Sequence, residues 1–173
     1  MGKVLLVANH SDWLYNLRFE LIEALVAHDY EVFFAVPQAA TYSKVALLTN
    51  MGARYFQVNM SRKGTNPFED LSLIKQYKKI IAEIDPDVVL TYTIKPNIYG
   101  TYASNLNDKP TIINVTGIGS SLAGGNLKSL VKQMYKRACK KAHVVFFQNQ
   151  GNLDFFLENN MVDPNKVRLI PGS

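Results

Sequence analysis

Cysteine is almost missing from this chain of 173 residues. Cys139 stands alone, so no disulfide framework can form, and a thiolate metal site would lack partners. Long apolar runs are missing too. None approaches the roughly 18 residues needed to span a bilayer. The opening MGKVLLVANH turns polar too soon for a signal peptide, and Leu6 stands where a myristoylation pattern wants Ser or Thr. These absences predict a soluble protein in a reducing, intracellular compartment. Disorder is also excluded, because 47% of the residues are hydrophobic and only 19% are charged.

The common chemical motifs are missing as well. The stretch ANHSDWLYN holds no glycine, so the dinucleotide fingerprint G-x-G-x-x-G cannot be drawn there. Around Gly117 and Gly119 that fingerprint breaks at its sixth place. Gly124 is followed by Gly125 and Asn126 instead of Lys and Ser or Thr, which rules out a Walker A loop. No nucleophile elbow, HExxH or CxxC occurs. NAD and ATP are therefore not expected ligands.

What is present is alternation. Val4–Ala8, Val32–Val36, Tyr55–Val58, Val88–Tyr92, Thr111–Val115, Val144–Gln148 and Val167–Ile170 read as short strands, mostly buried on both faces. Between them, Trp13–Ala27, Tyr42–Met51, Pro67–Ile84, Asn97–Leu106, Asn126–Ala142 and Gly151–Asn159 read as helices. The punctuation agrees: Gly52 follows one helix, Asn66-Pro67 opens the next, and Asp85-Pro86 closes it. Strict alternation predicts a doubly wound α/β fold, a parallel sheet of about seven strands with helices on both faces. Ligands in such sheets bind beyond the carboxyl ends of the strands, where strand order reverses. That directs attention to residues 9–13, 60–66, 93–97 and 116–125.

The last of these loops is rich in glycine. Gly117 and Gly119 let the backbone approach a ligand, while Ser120 and Ser121 add hydroxyls and the following helix start favours an anion. The alternative is a surface loop that needs glycine only to turn, and the loop alone favours neither reading. The helix after it carries Lys128, Lys132, Lys136, Arg137, Lys140 and Lys141 without one carboxylate. The formal charge of +5 resides there, since the rest of the chain has 13 basic (19 − 6) against 14 acidic residues. Leu127, Leu130, Val131, Met134, Tyr135, Ala138 and Ala142 form its apolar side. An ordinary solvated face would explain the cations, but their number favours an anionic membrane surface, worth about 1 kcal/mol per apposed cation. Nucleic acid is not an expected partner, because no aromatic residues interleave with the charge.

His28 and His143 sit at element ends and read as structural. His10, after the first strand, suits either a substrate or a cap. Ser11 and Asp12 beside it look like caps, with Asp12 as N-cap before Trp13. Arg18, Ser61-Arg62-Lys63 and Lys95-Pro96-Asn97 bring positive charge to the same sheet edge, which suits a phosphorylated ligand.

Taken in order, NLRFELIEALVAHDYEVFFAVPQ, SRKGTNPFEDL, TIKPNIYGTYAS and INVTGIGSS resemble the N-terminal half of a GT-B glycosyltransferase. The likeness is nearest to the retaining family-four type that acts on polyprenyl-diphosphate-linked sugars in bacterial capsule, O-antigen or glycoprotein glycan assembly. NKVRLIPGS is similar to the strand and linker leading into that family's second domain. The resemblance implies that residues 1–173 form the Rossmann-like acceptor domain. The nucleotide-sugar domain would lie outside this chain, in the same or a partner polypeptide, so that transfer needs both. It implies a UDP-sugar donor, a polyprenyl-diphosphate-linked sugar acceptor, and no resident cofactor or metal. The place implied is cytoplasmic, peripheral on the inner face of the cell membrane. It further implies that His10, Ser11, Asn16, Arg18, Ser61, Arg62, Lys95, Asn97, Thr116, Gly117, Gly119 and Ser120 line or support the cleft. No residue of this half is named as catalytic. Two other readings compete: a non-catalytic subunit that recruits a separate transferase to the membrane, and a stand-alone nucleotide-binding α/β protein.

Overall fold

A computed structural model describes residues 1–61, 66–118 and 128–170. The glycine loop expected to hold Gly119 and Ser120, and the position of Arg62, lie outside these described residues. Seven strands form one parallel sheet: β1 (Lys3–Val7), β2 (Glu31–Val36), β3 (Arg54–Gln57), β4 (Val88–Tyr92), β5 (Thr111–Val115), β6 (Val144–Phe147) and β7 (Val167–Leu169), in the order β3-β2-β1-β4-β5-β6-β7. The helices are α1 (Ser11–Ala27), α2 (Ser43–Asn50), α3 (Pro67–Ile84), α4 (Thr101–Asn105), α5 (Lys128–Lys141) and α6 (Gln150–Glu158). A π-helical turn, Pro96–Gly100, runs directly into α4.

Alternation along each strand divides the core in two. In β1, Val4 and Leu6 face α1 and α2, where they pack with Leu14, Ile22, Val45 and Leu48. Leu5 and Val7 face the other way, toward Leu73 and Tyr77 of α3, Ile98, Tyr135 of α5 and Phe156 of α6. Both faces of the inner strands are therefore apolar and buried, as a parallel sheet requires. The edges depart from the expectation of burial on both faces. Arg54, Gln57, Arg168 and Leu169 are exposed, because β3 and β7 have a neighbour on one side only.

The helix ends show how the sequence punctuates the fold. Asn66 accepts the Phe68 N–H at 3.1 Å and Pro67 fills the first turn of α3, while Asp85 ends that helix in the left-handed region at φ 53. Asp85 is further held by Lys109 at 2.5 Å, which keeps its carboxyl below the usual range. The N-cap of α1 corrects the expectation. It is His10 rather than Asp12: the helix begins at Ser11, and His10 Nδ1 accepts the Asp12 N–H at 3.2 Å. Asp12 instead places its charge in the first turn, where the helix dipole favours it. His28 caps the far end of α1, its Nδ1 2.8 Å from the Ala24 carbonyl oxygen.

The lone thiol belongs to the core. Cys139 is fully buried on α5, and burial pushes its thiol from 9.0 up to about 12 against a smaller opposing pull from Lys166. A thiol whose folded pKa is raised stays protonated in the fold while the unfolded chain ionises. Its contribution to stability is therefore lost as pH rises above about 9 toward 12. Native protein should resist iodoacetamide at pH 8, and urea should expose the thiol to rapid labelling; equal labelling rates would contradict the packing of α5.

Candidate functional site

β1 and β4 are hydrogen-bonded neighbours, with Val4 opposite Val88 and Val7 opposite Thr91. The helix after β1 packs on one face of the sheet, and the helical segment after β4 packs on the other. This is the point where strand order reverses, and the diverging chain leaves a crevice at the carboxyl edge. A recess there is lined by Trp13, Leu14, Leu17 and Arg18 of α1, by Tyr92 at the end of β4 and Thr93 after it, and by Thr116 after β5.

The β4 side of the crevice is tightly built. Residues 93–97 were expected as a loop, but the helical segment starts immediately after Thr93, whose carbonyl accepts the Asn97 N–H at 2.8 Å. Every residue from Pro96 to Gly100 is buried. Gly100 suits a close approach: a Cβ there would stand 3.0 Å from Val7 Cγ2 and 3.1 Å from Thr91 Cγ2, crowding both methyl groups. Asn97 does not open into the crevice. It is 1% exposed, and its Nδ2 donates to the Asn114 carbonyl at 3.0 Å and the Tyr135 hydroxyl at 2.5 Å. Lys95 is likewise engaged, its Nζ 3.2 Å from Asp70 Oδ1 with both side chains largely buried. Its charge is thus neutralised within the protein, which weakens the expectation of a cationic rim. Tyr99 completes this cluster: burial first, and the Asp70 carboxylate second, hold its phenol protonated.

On the β1 side, the Ser11 N–H donates to Gln38 Oε1 at 2.8 Å. His10 meets the Tyr42 ring edge-on, and the Tyr42 hydroxyl donates to Asp12 Oδ2 at 3.2 Å. Arg18 donates to the Leu17 carbonyl and lies over the Tyr92 ring, 5.2 Å from its centroid. The Tyr92 phenol is pushed up to about 12 by burial, against the pull of that guanidinium. Asn16 is exposed and stands with Tyr15, Phe19 and Glu20 around a separate surface depression. Ser61 is also exposed, hydrogen-bonded to Glu69 at 2.5 Å. The structure therefore brings Arg18 and Thr116 together at the recess, turns His10 and Ser11 toward Tyr42 and Gln38 after β2, sets Lys95 and Asn97 behind the crevice wall, and leaves Asn16 and Ser61 on the surface. Gly117 is exposed, with nothing within 4 Å of a Cβ built on it.

Several buried polar atoms at this edge have no partner: Asn9 Oδ1, Ser11 Oγ, Asp12 Oδ1 and Thr93 Oγ1. Unsatisfied groups are uncommon in folded proteins and ask for an explanation. Among the described residues, no group of His, Cys, Asp and Glu is arranged to hold a metal ion. The same holds for spans: no described helix is long and apolar enough to cross a membrane.

Residues 3–149 match the family model described as glycosyl transferase 4-like. The chain belongs to the glycosyl transferase 4-like family. It is 28% identical over 163 residues to a Campylobacter jejuni protein, N,N'-diacetylbacillosaminyl-diphospho-undecaprenol alpha-1,3-N-acetylgalactosaminyltransferase, covering 91% of this chain and 42% of that one. Solved structures agree on the fold. A glycosyltransferase from Rickettsia africae superposes with a TM-score of 0.73 at 19% identity, over 98% of this chain and 42% of the other. MurG from Acinetobacter baumannii gives 0.65 at 16% identity, over 100% and 46%. The chain thus spans less than half the length of these relatives. Its seven-stranded Rossmann-like unit corresponds to one half of a GT-B architecture.

Trp13, Thr93, Asp70 and Gly100 were not singled out from the sequence. Gly100 left a trace, a lone glycine inside a helical pattern, which often marks close packing. The Asp70–Lys95 pair left none, because the partners are far apart in the chain and only the fold joins them. Replacing Lys95 by Met should strand a buried carboxylate and cost about 3 kcal/mol in a urea titration. Replacing Asp70 by Leu in the same chain should recover most of that loss; an undiminished loss would mean that the pair is not what Lys95 supplies.

Proposed function

We propose that this chain is the acceptor-holding half of a glycosyltransferase that moves a hexose or N-acetylhexosamine from a UDP-sugar to a polyprenyl-diphosphate-linked glycan. The setting is bacterial surface-polysaccharide synthesis, capsule included, and the transfer is retaining. The observation that carries this reading is the family match over residues 3–149, joined to a relative whose named acceptor is a diphospho-undecaprenol sugar. The crevice at the β1/β4 reversal supports it, since orphaned polar atoms gather where open α/β sheets bind ligands. The nucleotide-sugar site would belong to a donor domain outside this chain, in the same or a partner polypeptide. Transfer would need both halves, and the reading calls on no resident metal or other cofactor and no nucleic acid.

A polyprenyl acceptor keeps its reactive sugar at a membrane surface, so the enzyme would work from the cytoplasmic face as a peripheral protein. Two features support that location. Lys128, Lys136, Arg137 and Lys140 of α5 are exposed, whereas Lys132 donates to Asn159 Oδ1 and Lys141 to Asn105 Oδ1. In addition, Phe68 and Leu71 in the first turns of α3 are 84% and 57% exposed, and Leu130 in the first turn of α5 is 51% exposed. That last value corrects the apolar side expected for α5: Val131, Tyr135, Ala138 and Cys139 are buried, and Leu130 is not. Both helices follow strands of the parallel sheet, so these apolar side chains share its carboxyl edge with the crevice.

Titration of the chain in mild detergent with a short polyprenyl-diphosphate N-acetylhexosamine and with UDP-N-acetylhexosamine separates the readings. Binding to the first and weak binding to the second is the expected result. Tight binding to the nucleotide with indifference to the lipid-linked sugar would instead favour a stand-alone nucleotide-binding protein. For the membrane, changing Lys128, Lys136, Arg137 and Lys140 to Gln should reduce sedimentation with anionic vesicles at least tenfold at low salt and flatten its salt dependence. Unchanged sedimentation would remove α5 from that role.

A further inference from the structure

The two helical layers that flank the sheet differ in charge. α1 and α2 carry Asp12, Glu20 and Glu23 against Arg18 and Lys44, so their layer is weakly acidic. The opposite layer holds α3, α4 and α5, with α4 between the other two. There α5 has cations and no carboxylate, and α3 exposes Lys75, Lys78 and Lys79 from its middle onward.

α3 opens on apolar side chains instead. Its first turn is fixed by the Asn66 cap on the Phe68 N–H, yet most of Phe68 and over half of Leu71 lie in solvent. At about 100° per residue, Phe68, Leu71 and Lys75 share the outer side of the helix with Lys78 and Lys79. The carboxylates of the same turn are drawn elsewhere. Asp70 is buried against Lys95, and Glu69 accepts from Ser61 Oγ and from Asn66 Nδ2. α5 repeats the gradient: Leu130 is exposed in its first turn, and Lys136, Arg137 and Lys140 follow toward its end. Both helices start at the carboxyl edge of the sheet. This pattern asks for a partner that is apolar at one depth and anionic at another, which a bilayer supplies over its whole surface.

We infer that α3 docks on an anionic bilayer together with α5. Phe68 and Leu71 enter the acyl boundary, and Lys75, Lys78 and Lys79 meet the phosphates. The layer of α3 and α5 then faces the lipid, and α1 and α2 face away from it. The inference rests on the peripheral location proposed above and adds to it an apolar anchor and an orientation.

Single fluorescent labels read that orientation, because Cys139 is the one native thiol and is buried. Chains with Phe68→Cys or Glu23→Cys, each carrying an environment-sensitive dye, are bound to vesicles of phosphatidylcholine with about a quarter phosphatidylglycerol. The label replacing Phe68 should brighten about twofold and be quenched by nitroxide on the lipid acyl chains, whereas the label replacing Glu23 should do neither. Phe68→Ser combined with Leu71→Ser should reduce sedimentation with the same vesicles about tenfold and leave Tm unchanged, since both side chains are exposed. Changing Lys75, Lys78 and Lys79 to Gln should reduce it about tenfold at low salt. A silent label in place of Phe68, on a chain that still sediments, would overturn the docking of α3 and leave α5 as the contact. An equal response in place of Glu23 would overturn the orientation. Serine variants that sediment like the unaltered chain would overturn the apolar anchor and return Phe68 and Leu71 to a protein partner. Failure of the unaltered chain to sediment at low salt would remove the peripheral location and this inference together.

Discussion

Val7 of β1 and Thr91 of β4 lie opposite each other in the sheet, and Gly100 rests on both. A side chain there would crowd both methyl groups, so the backbone of the helical segment after β4 lies close against the sheet. Much of the crevice wall follows from that approach. It seats the π turn with all five residues buried, and it carries Asn97 to the Asn114 carbonyl and the Tyr135 hydroxyl. It also turns Lys95 back to Asp70 at the start of α3. Because the segment begins directly at Thr93, the strand must change direction within one residue, and Thr93 takes up the left-handed φ that this demands.

Among the described residues, the cations beside the crevice differ from those of α5. Near the crevice they are engaged: Lys95 with a carboxylate, Arg18 with the Leu17 carbonyl and the Tyr92 ring. On α5, several remain in solvent. This division assigns different physics to recognition and to localisation. If the crevice takes a ligand, the Lys95 charge is already matched by Asp70 within the wall. Along α5, long-range attraction to an anionic surface would act without specific geometry and would fade with salt. A buried ion pair such as Asp70–Lys95 adds little net stability over an apolar pair, and what it supplies is a tie between α3 and the β4 wall.

Much of this architecture was legible in the sequence, since short apolar runs and amphipathic segments alternate without interruption. Most boundaries shifted by one or two residues, as helix ends usually do, and the helical segment expected from Asn97 begins three residues earlier, at Ile94. Where the structure differs from the sequence expectation or narrows it, the reasons are physical. His10 displaced Asp12 as N-cap because an imidazole nitrogen accepts a backbone N–H as well as a carboxylate oxygen does. Lys95 looked like a ligand-binding cation because Asp70 lies 25 residues earlier in the chain. Asn97 looked polar and available, yet it bonds across three elements that only the fold assembles. Leu130 kept the period of the buried side of α5 but lies in the first turn, in solvent. Which side chains of the sheet edge face the crevice is decided by long-range contacts that no local pattern encodes.

The two walls of the crevice are anchored to very different extents. The β4 wall is buried without a break from Pro96 to Gly100 and belongs to the larger of the two apolar clusters. The α1 wall belongs to the smaller cluster and, over 17 residues, fully buries only Ser11, Leu14 and Ile22. Local opening follows buried contact, so α1 should exchange its amide hydrogens well before the segment it faces. A ligand in the crevice would thus meet a well-anchored wall on one side and a more lightly anchored one on the other, closer to a bench vice with α1 as the jaw that gives than to a rigid mould.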